Sequence, residues 1–77
     1  MQINLLAFGK VAAITGDHFV LNESISDTNA LQQLLQNKFA ALQGLKYRLA
    51  VNKHMVEQNV PLTDNDTIAL LPPFSGG

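Results

Sequence analysis

The stretch Asp27-Thr28-Asn29-Ala30-Leu31-Gln32-Gln33-Leu34-Leu35-Gln36-Asn37-Lys38-Phe39-Ala40-Ala41-Leu42-Gln43-Gly44 decides the fold of this 77-residue chain. Leu31, Leu34, Leu35, Phe39 and Leu42 recur at the i, i+3, i+4 spacings that align side chains along one face of an α-helix. Gln32, Gln33, Gln36, Asn37 and Gln43 fall mostly elsewhere, free to face water. Asp27 or Ser26 supplies a side-chain oxygen for an orphan amide of the first turn. Gly44 stands where a left-handed C′ residue would close the helix. The pattern predicts a helix over 28–43 with one apolar stripe, which must be buried against something else.

That something is a sheet. Ile3 to Phe8 alternates with period two, putting Ile3, Leu5 and Ala7 on one face and Asn4, Leu6 and Phe8 on the other. Both faces are largely apolar, as for a central strand. Lys10 to Thr15, between Gly9 and Gly16, suits a short helical turn with Val11 and Ile14 inward. His18 to Glu23 and Tyr47 to Asn52 read as further strands. Asn52-Lys53-His54 reads as a turn leading into a short return strand at Met55-Val56. Pro61 to Asp66 is turn chemistry, and Thr67 to Leu71 is the last strand. Pro72-Pro73 ends it, because neither residue has an amide hydrogen for a ladder. A single long helix cannot cover both faces of such a sheet, so the expectation is a two-layer α+β domain over 1–77. With the first and last strands parallel in the middle, this is a β-grasp, or ubiquitin-like, mixed sheet with one main helix on one face.

Composition narrows the chemistry. The chain has no cysteine, which excludes disulfides, iron–sulfur sites and a cysteine nucleophile. Five basic against six acidic residues provide no nucleic-acid footprint. No apolar run approaches the roughly 20 residues of a membrane span, and no signal peptide is evident, so a cytoplasmic location is expected. His18 and His54 are far apart and read as surface or strand-edge residues. Asp64 and Asp66 resemble a fragment of a calcium loop without its other ligands and read as a solvated turn. Gly9, Gly16 and Gly44 are too scattered for a phosphate loop. Ser75 has no histidine nearby in sequence. No side chain is therefore a catalytic candidate, and no bound metal or cofactor is expected.

The chain's end is different. After the last strand come Pro72, Pro73, Phe74, Ser75, Gly76 and Gly77, expected as a flexible tail over 72–77. Two prolines favour extended geometry, so at about 3.1 Å per residue the segment from Pro73 would reach on the order of 15 Å. Glycines without Cβ atoms can thread a narrow channel in a partner. The reactive group at the tip is the α-carboxylate of Gly77. Ionised near neutral pH, it is a poor electrophile until activated, most economically as an acyl-adenylate made from ATP. Sulfur displacing AMP would then leave a thiocarboxylate, and a lysine amine would leave an isopeptide bond.

Leu49-Ala50-Val51-Asn52 and Pro61-Leu62-Thr63-Asp64-Asn65-Asp66-Thr67-Ile68-Ala69-Leu70-Leu71-Pro72-Pro73-Phe74-Ser75-Gly76-Gly77 resemble the small subunit of molybdopterin synthase. That family runs roughly A-V-N, then P-L-x-D-G-D-x-V-A-x-x-P-P-[VF]-[ST]-G-G. Ile3 to Val11 is similar to its first strand and turn. The likeness spans the whole length, tightly over the last part and loosely in the middle. Asn65 replaces a frequent glycine, Ala12 and Ala13 replace charged residues, and the segment Gln43 to Lys46 is short; none of these touches the tail. The resemblance implies a sulfur carrier. A ubiquitin-activating-type enzyme would adenylate Gly77 with ATP, and a sulfur-transfer protein would complete the thiocarboxylate. The tail would enter the molybdopterin synthase large subunit in a heterotetramer and pass sulfur to cyclic pyranopterin monophosphate.

The residues add one expectation. With the helix on one face, apolar side chains on the other or beside the tail should meet partners. The candidates are Leu6, Phe8, Ala69, Leu71 and Phe74, any of which could instead complete the core. Three other functions remain open: a thiamine-pathway sulfur carrier, a ubiquitin-like protein modifier, and an interaction module whose terminus is chemically idle.

Overall fold

Strand β5 (Thr67–Leu71) organises the molecule, because it lies at the centre of a five-stranded sheet of order β2-β1-β5-β3-β4. In this computed structural model, which describes residues 1–72, β1 spans Ile3–Ala7, β2 His18–Leu21, β3 Arg48–Val51 and β4 His54–Val56. β1 runs parallel to β5, with Leu5 opposite Ile68 and Ala7 opposite Leu70. The other pairings are antiparallel. This is the expected β-grasp. Residues 73–77, which include most of the predicted tail, lie outside the described residues.

The period-two reading of the central strands holds. Ile3, Leu5, Ile68 and Leu70 are fully buried and Ala7 and Leu49 nearly so, all on the face covered by helix. Helix α1 (Gly9–Thr15) sends Val11 into that core, and α2 (Thr28–Lys38) adds Leu31 and Leu35. Burial of these side chains, each contributing about 1.5–3 kcal/mol, holds the fold together without cross-links.

The long helix is shorter than its period suggested. It ends at Lys38; Phe39 turns extended (φ −124°, ψ 90°), and a 3₁₀ turn, Ala40–Gly44, follows. Length accounts for this. A straight helix over 28–43 would run about 24 Å at 1.5 Å per residue, whereas strands of this length span only about 17 Å. Breaking at Phe39 folds Leu42 back over the core, where it is fully buried, and sets the Phe39 ring edge-on to Phe19 at 5.7 Å. Gly44 consequently is not a left-handed helix cap; it is the last residue of the 3₁₀ turn. Strands β2 and β3 are likewise shorter than the predicted His18–Glu23 and Tyr47–Asn52.

The helix start is as expected, since Asp27 Oδ1 accepts the Ala30 amide at 2.8 Å. A second cap comes from far along the chain. Asn59 Oδ1 accepts the Asn29 amide at 2.8 Å and the Thr28 hydroxyl at 3.2 Å. The Thr28 hydroxyl oxygen in turn accepts the Val60 amide at 3.1 Å. These bonds strap the connection before β5 across the start of α2.

Candidate functional site

Two features meet where β5 ends: the root of the tail and the sheet face that no helix covers. Parallel pairing with β1 carries Leu71 and Pro72 to the same end of the sheet as Phe8 and Gly9. The Phe8 amide bonds the Leu70 carbonyl at 3.1 Å, and the Pro72 ring lies over Gly9. Gly9 has φ +60°, and a Cβ there would sit 3.3 Å from Pro72 Cγ. Both backbone conformation and space therefore select glycine. Pro72 thus rests on the fold. The rest of the predicted tail, Pro73, Phe74, Ser75, Gly76 and Gly77, lies outside the described residues.

The open face is a consequence of register. Leu6 stands opposite His18 on β2 and Ala69 on β5; Ala69 is opposite Ala50 on β3, and Ala50 opposite Met55 on β4. These five residues form one row across the sheet. Two alanines make its low floor, and Leu6 and Met55 wall it in. Toward the tail, Leu71 is opposite Arg48; away from it, Asn4 pairs with Val20 and Thr67. The exposed large apolar residues of this layer are Leu6 (36%), Phe8 (46%), Val20 (38%) and Met55 (48%). An apolar surface this contiguous on a small domain marks an interaction site.

Of the residues predicted for this role, the structure brings Leu6, Ala69 and Leu71 onto the open face and Phe8 to its tail-side margin; Phe74 is outside the described residues. Sequence reasoning missed Val20, Ala50 and Met55. Val20 follows from the alternation of β2 once Phe19 and Leu21 are turned inward. Met55 has no such signal, because a three-residue strand shows no period.

The titratable groups are elsewhere. His18 opens β2 and His54 opens β4, the two edge strands on opposite sides of the sheet, both exposed. Among the described residues no cluster of three His, Cys, Asp or Glu could hold a metal ion. Asp64 and Asp66 belong to a hydrogen-bonded turn. Asp66 accepts the Thr63 amide at 2.8 Å, the Asn52 side-chain amide at 3.0 Å and the Thr63 hydroxyl at 3.1 Å. The backbone bond from Thr63, then that from Asn52, hold its carboxyl below the usual aspartate range. Asn65 takes φ +71°, as its place in the turn demanded. This turn fixes the start of β5 and hence its register.

The ThiS family model matches residues 5–77. The molybdopterin synthase sulfur carrier subunit of Escherichia coli (strain K12) is 33% identical, over 99% of this chain and 100% of its own length. Among solved structures, the complex of subunits 1 and 2 of molybdopterin-converting factor from Helicobacter pylori 26695 contains a similar chain. That chain is 33% identical with a TM-score of 0.73, and the match covers 100% of each. SAMP1 of Haloferax volcanii, a small archaeal modifier protein, reaches a TM-score of 0.80 with full coverage of both chains. At 17% identity it shares the fold alone.

Proposed function

Because the chain belongs to the ThiS family and is homologous along its whole length to the molybdopterin synthase sulfur carrier subunit, we propose that it carries sulfur on Gly77. The Gly77 carboxylate attacks the α-phosphorus of ATP in a ubiquitin-activating-type enzyme. Pyrophosphate leaves and an acyl-adenylate forms. A sulfur nucleophile from a sulfur-transfer protein adds to the acyl carbon, AMP leaves, and a terminal thiocarboxylate results. Inside the large subunit the thiocarboxylate sulfur attacks cyclic pyranopterin monophosphate, and hydrolysis of the acyl–sulfur bond restores the carboxylate.

In this scheme the domain's own residues serve recognition and aim. β5 is clamped between β1 and β3, so the tail starts from a fixed point and not from a fraying edge. The apolar row from Leu6 to Met55 is the surface on which the large subunit seats, and Pro72, Pro73, Phe74, Ser75 and Gly76 thread its active site. The observation that carries the reading is the whole-length 33% identity, which includes the Gly-Gly terminus.

The test is intact-mass spectrometry after incubation with the cognate adenylating enzyme, ATP and a sulfur donor. Exchange of one oxygen for one sulfur at Gly77 is expected. A chain lacking Gly77 should stay uncharged while folding normally. Lysine-linked conjugates in place of the thiocarboxylate would assign the chain to the protein modifiers and overturn the reading.

A further inference from the structure

A groove opens at the root of the tail, on a different side from the apolar sheet face. Gly9, Lys10 and Val11 form one wall, Leu45 and Lys46 the other, and Pro72 one end, around about 490 Å³. The lining is mainly apolar, with an ammonium group on each bank. Arg48 is paired with Glu57 at 2.9 Å, whereas Lys10 and Lys46 join no ion pair among the described residues.

The charges of the whole domain are sorted along the same axis. Because β1 and β5 are parallel, one end of the sheet holds Phe8, Gly9 and Pro72, and the other holds Gln2 and the turn before β5. Four carboxylates, those of Glu23, Asp27, Asp64 and Asp66, belong to segments at the turn end, with Lys53 as the cation there. At the tail end are Lys10, Lys46 and Arg48 against Asp17 and Glu57, the latter already paired. A chain with almost no net charge thus presents a positive end, and the tail leaves from it. Any protein that takes in the tail must close on this end first.

We propose that the groove docks an acidic surface of the large subunit, in which an apolar side chain enters between Gly9 and Leu45 while flanking carboxylates meet Lys10 and Lys46. This rests on the sulfur-carrier reading, which makes the large subunit the receiver of the tail. Charge complementarity selects the occupant: two unpaired cations bordering an apolar floor reject a basic or wholly polar partner. Continuity with Pro72 adds to this, since the groove is walled by the first residue of the segment that enters the partner. The long-range consequence is orientation. The positive end turns toward an acidic mouth before contact, so the carrier arrives tail first.

The experiment measures association of the full-length chain with its cognate large subunit by stopped-flow fluorescence across ionic strength. The chains compared are wild type, Lys10→Glu/Lys46→Glu, Lys10→Met/Lys46→Met and, for the sheet face, Leu6→Glu. Both lysines are exposed, and circular dichroism verifies that each variant folds. At about 20 mM salt the double charge reversal should slow association on the order of tenfold, and the methionine pair by a smaller factor. The gap should shrink to about twofold or less near 0.5 M, where screening is nearly complete. Equal association rates for all lysine variants at every salt, with Leu6→Glu still weakening binding, would overturn the groove and leave the carrier reading intact. Wild-type chain that fails to bind the large subunit at all overturns the carrier reading and this inference with it.

Discussion

The two faces of the sheet are built from the same strands, one residue out of phase, yet they do different work. On the covered face Leu5, Ile68 and Leu70 are fully buried against α1, α2 and the 3₁₀ turn. On the open face their immediate neighbours Leu6, Ala69 and Leu71 meet no helix. Ala50 shows the difference most clearly. It is nearly inaccessible, yet it stands outside the main core cluster, because its small side chain lies on the floor of the open row. Apolar character alone therefore does not tell core from contact surface; the presence of a covering layer does.

The sharpest way to break the comparison is to truncate one residue on each side. Leu70→Ala on the covered face should cost about 3 kcal/mol of stability, by lost transfer energy and an unfilled cavity. Urea unfolding checks it, and a loss under 1 kcal/mol would mean that the covered face is not a packed core. Gly9→Ala, at the junction of both faces with the tail, should cost about 1–2 kcal/mol. The added Cβ is strained at φ +60° and crowds Pro72. Thermal unfolding reads that effect, and a shift in the association rate would accompany it if Pro72 moves.

Asp66→Asn comes next, at about 1 kcal/mol, because charged acceptors hold the turn better than an amide can. Its signature is pH dependence. A carboxyl depressed in the folded state stabilises fully above the ordinary aspartate range and loses that contribution as pH falls through its folded value. Wild type and variant should therefore differ by a constant amount above about pH 5 and converge below about pH 4. A gap unchanged down to pH 2 would show that the turn does not depend on the carboxylate charge. The smallest stability effect belongs to the open face. Leu6→Glu should change unfolding free energy by about 0.5 kcal/mol or less, while affinity for the large subunit falls at least tenfold, or about 1.4 kcal/mol. Calorimetric titration separates the two, and an unchanged affinity would remove Leu6 from the interface.

Much of this was legible residue by residue. Alternation in Ile3 to Phe8 and Thr67 to Leu71 set which side chains turn inward, and the observed burial follows it. Asp27 as the helix cap and Asn65 as the left-handed turn residue follow from local chemistry that needs no partner. The breaks were not legible. Nothing in Lys38-Phe39-Ala40 disfavours a helix; the stop at Lys38 comes from the length of the sheet beneath. The cap from Asn59 was equally hidden, since it bridges residues thirty apart. At the candidate site the same division holds. Leu6, Phe8, Ala69 and Leu71 were found from their own strands, whereas Met55 and Ala50 join them only through cross-strand register.

By itself, then, the sequence determined the elements, the inward side of each central strand and the chemical character of the Gly76-Gly77 end, because these depend on side-chain period and on groups close along the chain. The tertiary structure alone decided where the helix stops, which apolar residues remain uncovered and how Lys10 and Lys46 come to face one groove. Each of these is a matter of distance between segments remote in sequence, which only the parallel pairing of the first and last strands brings together.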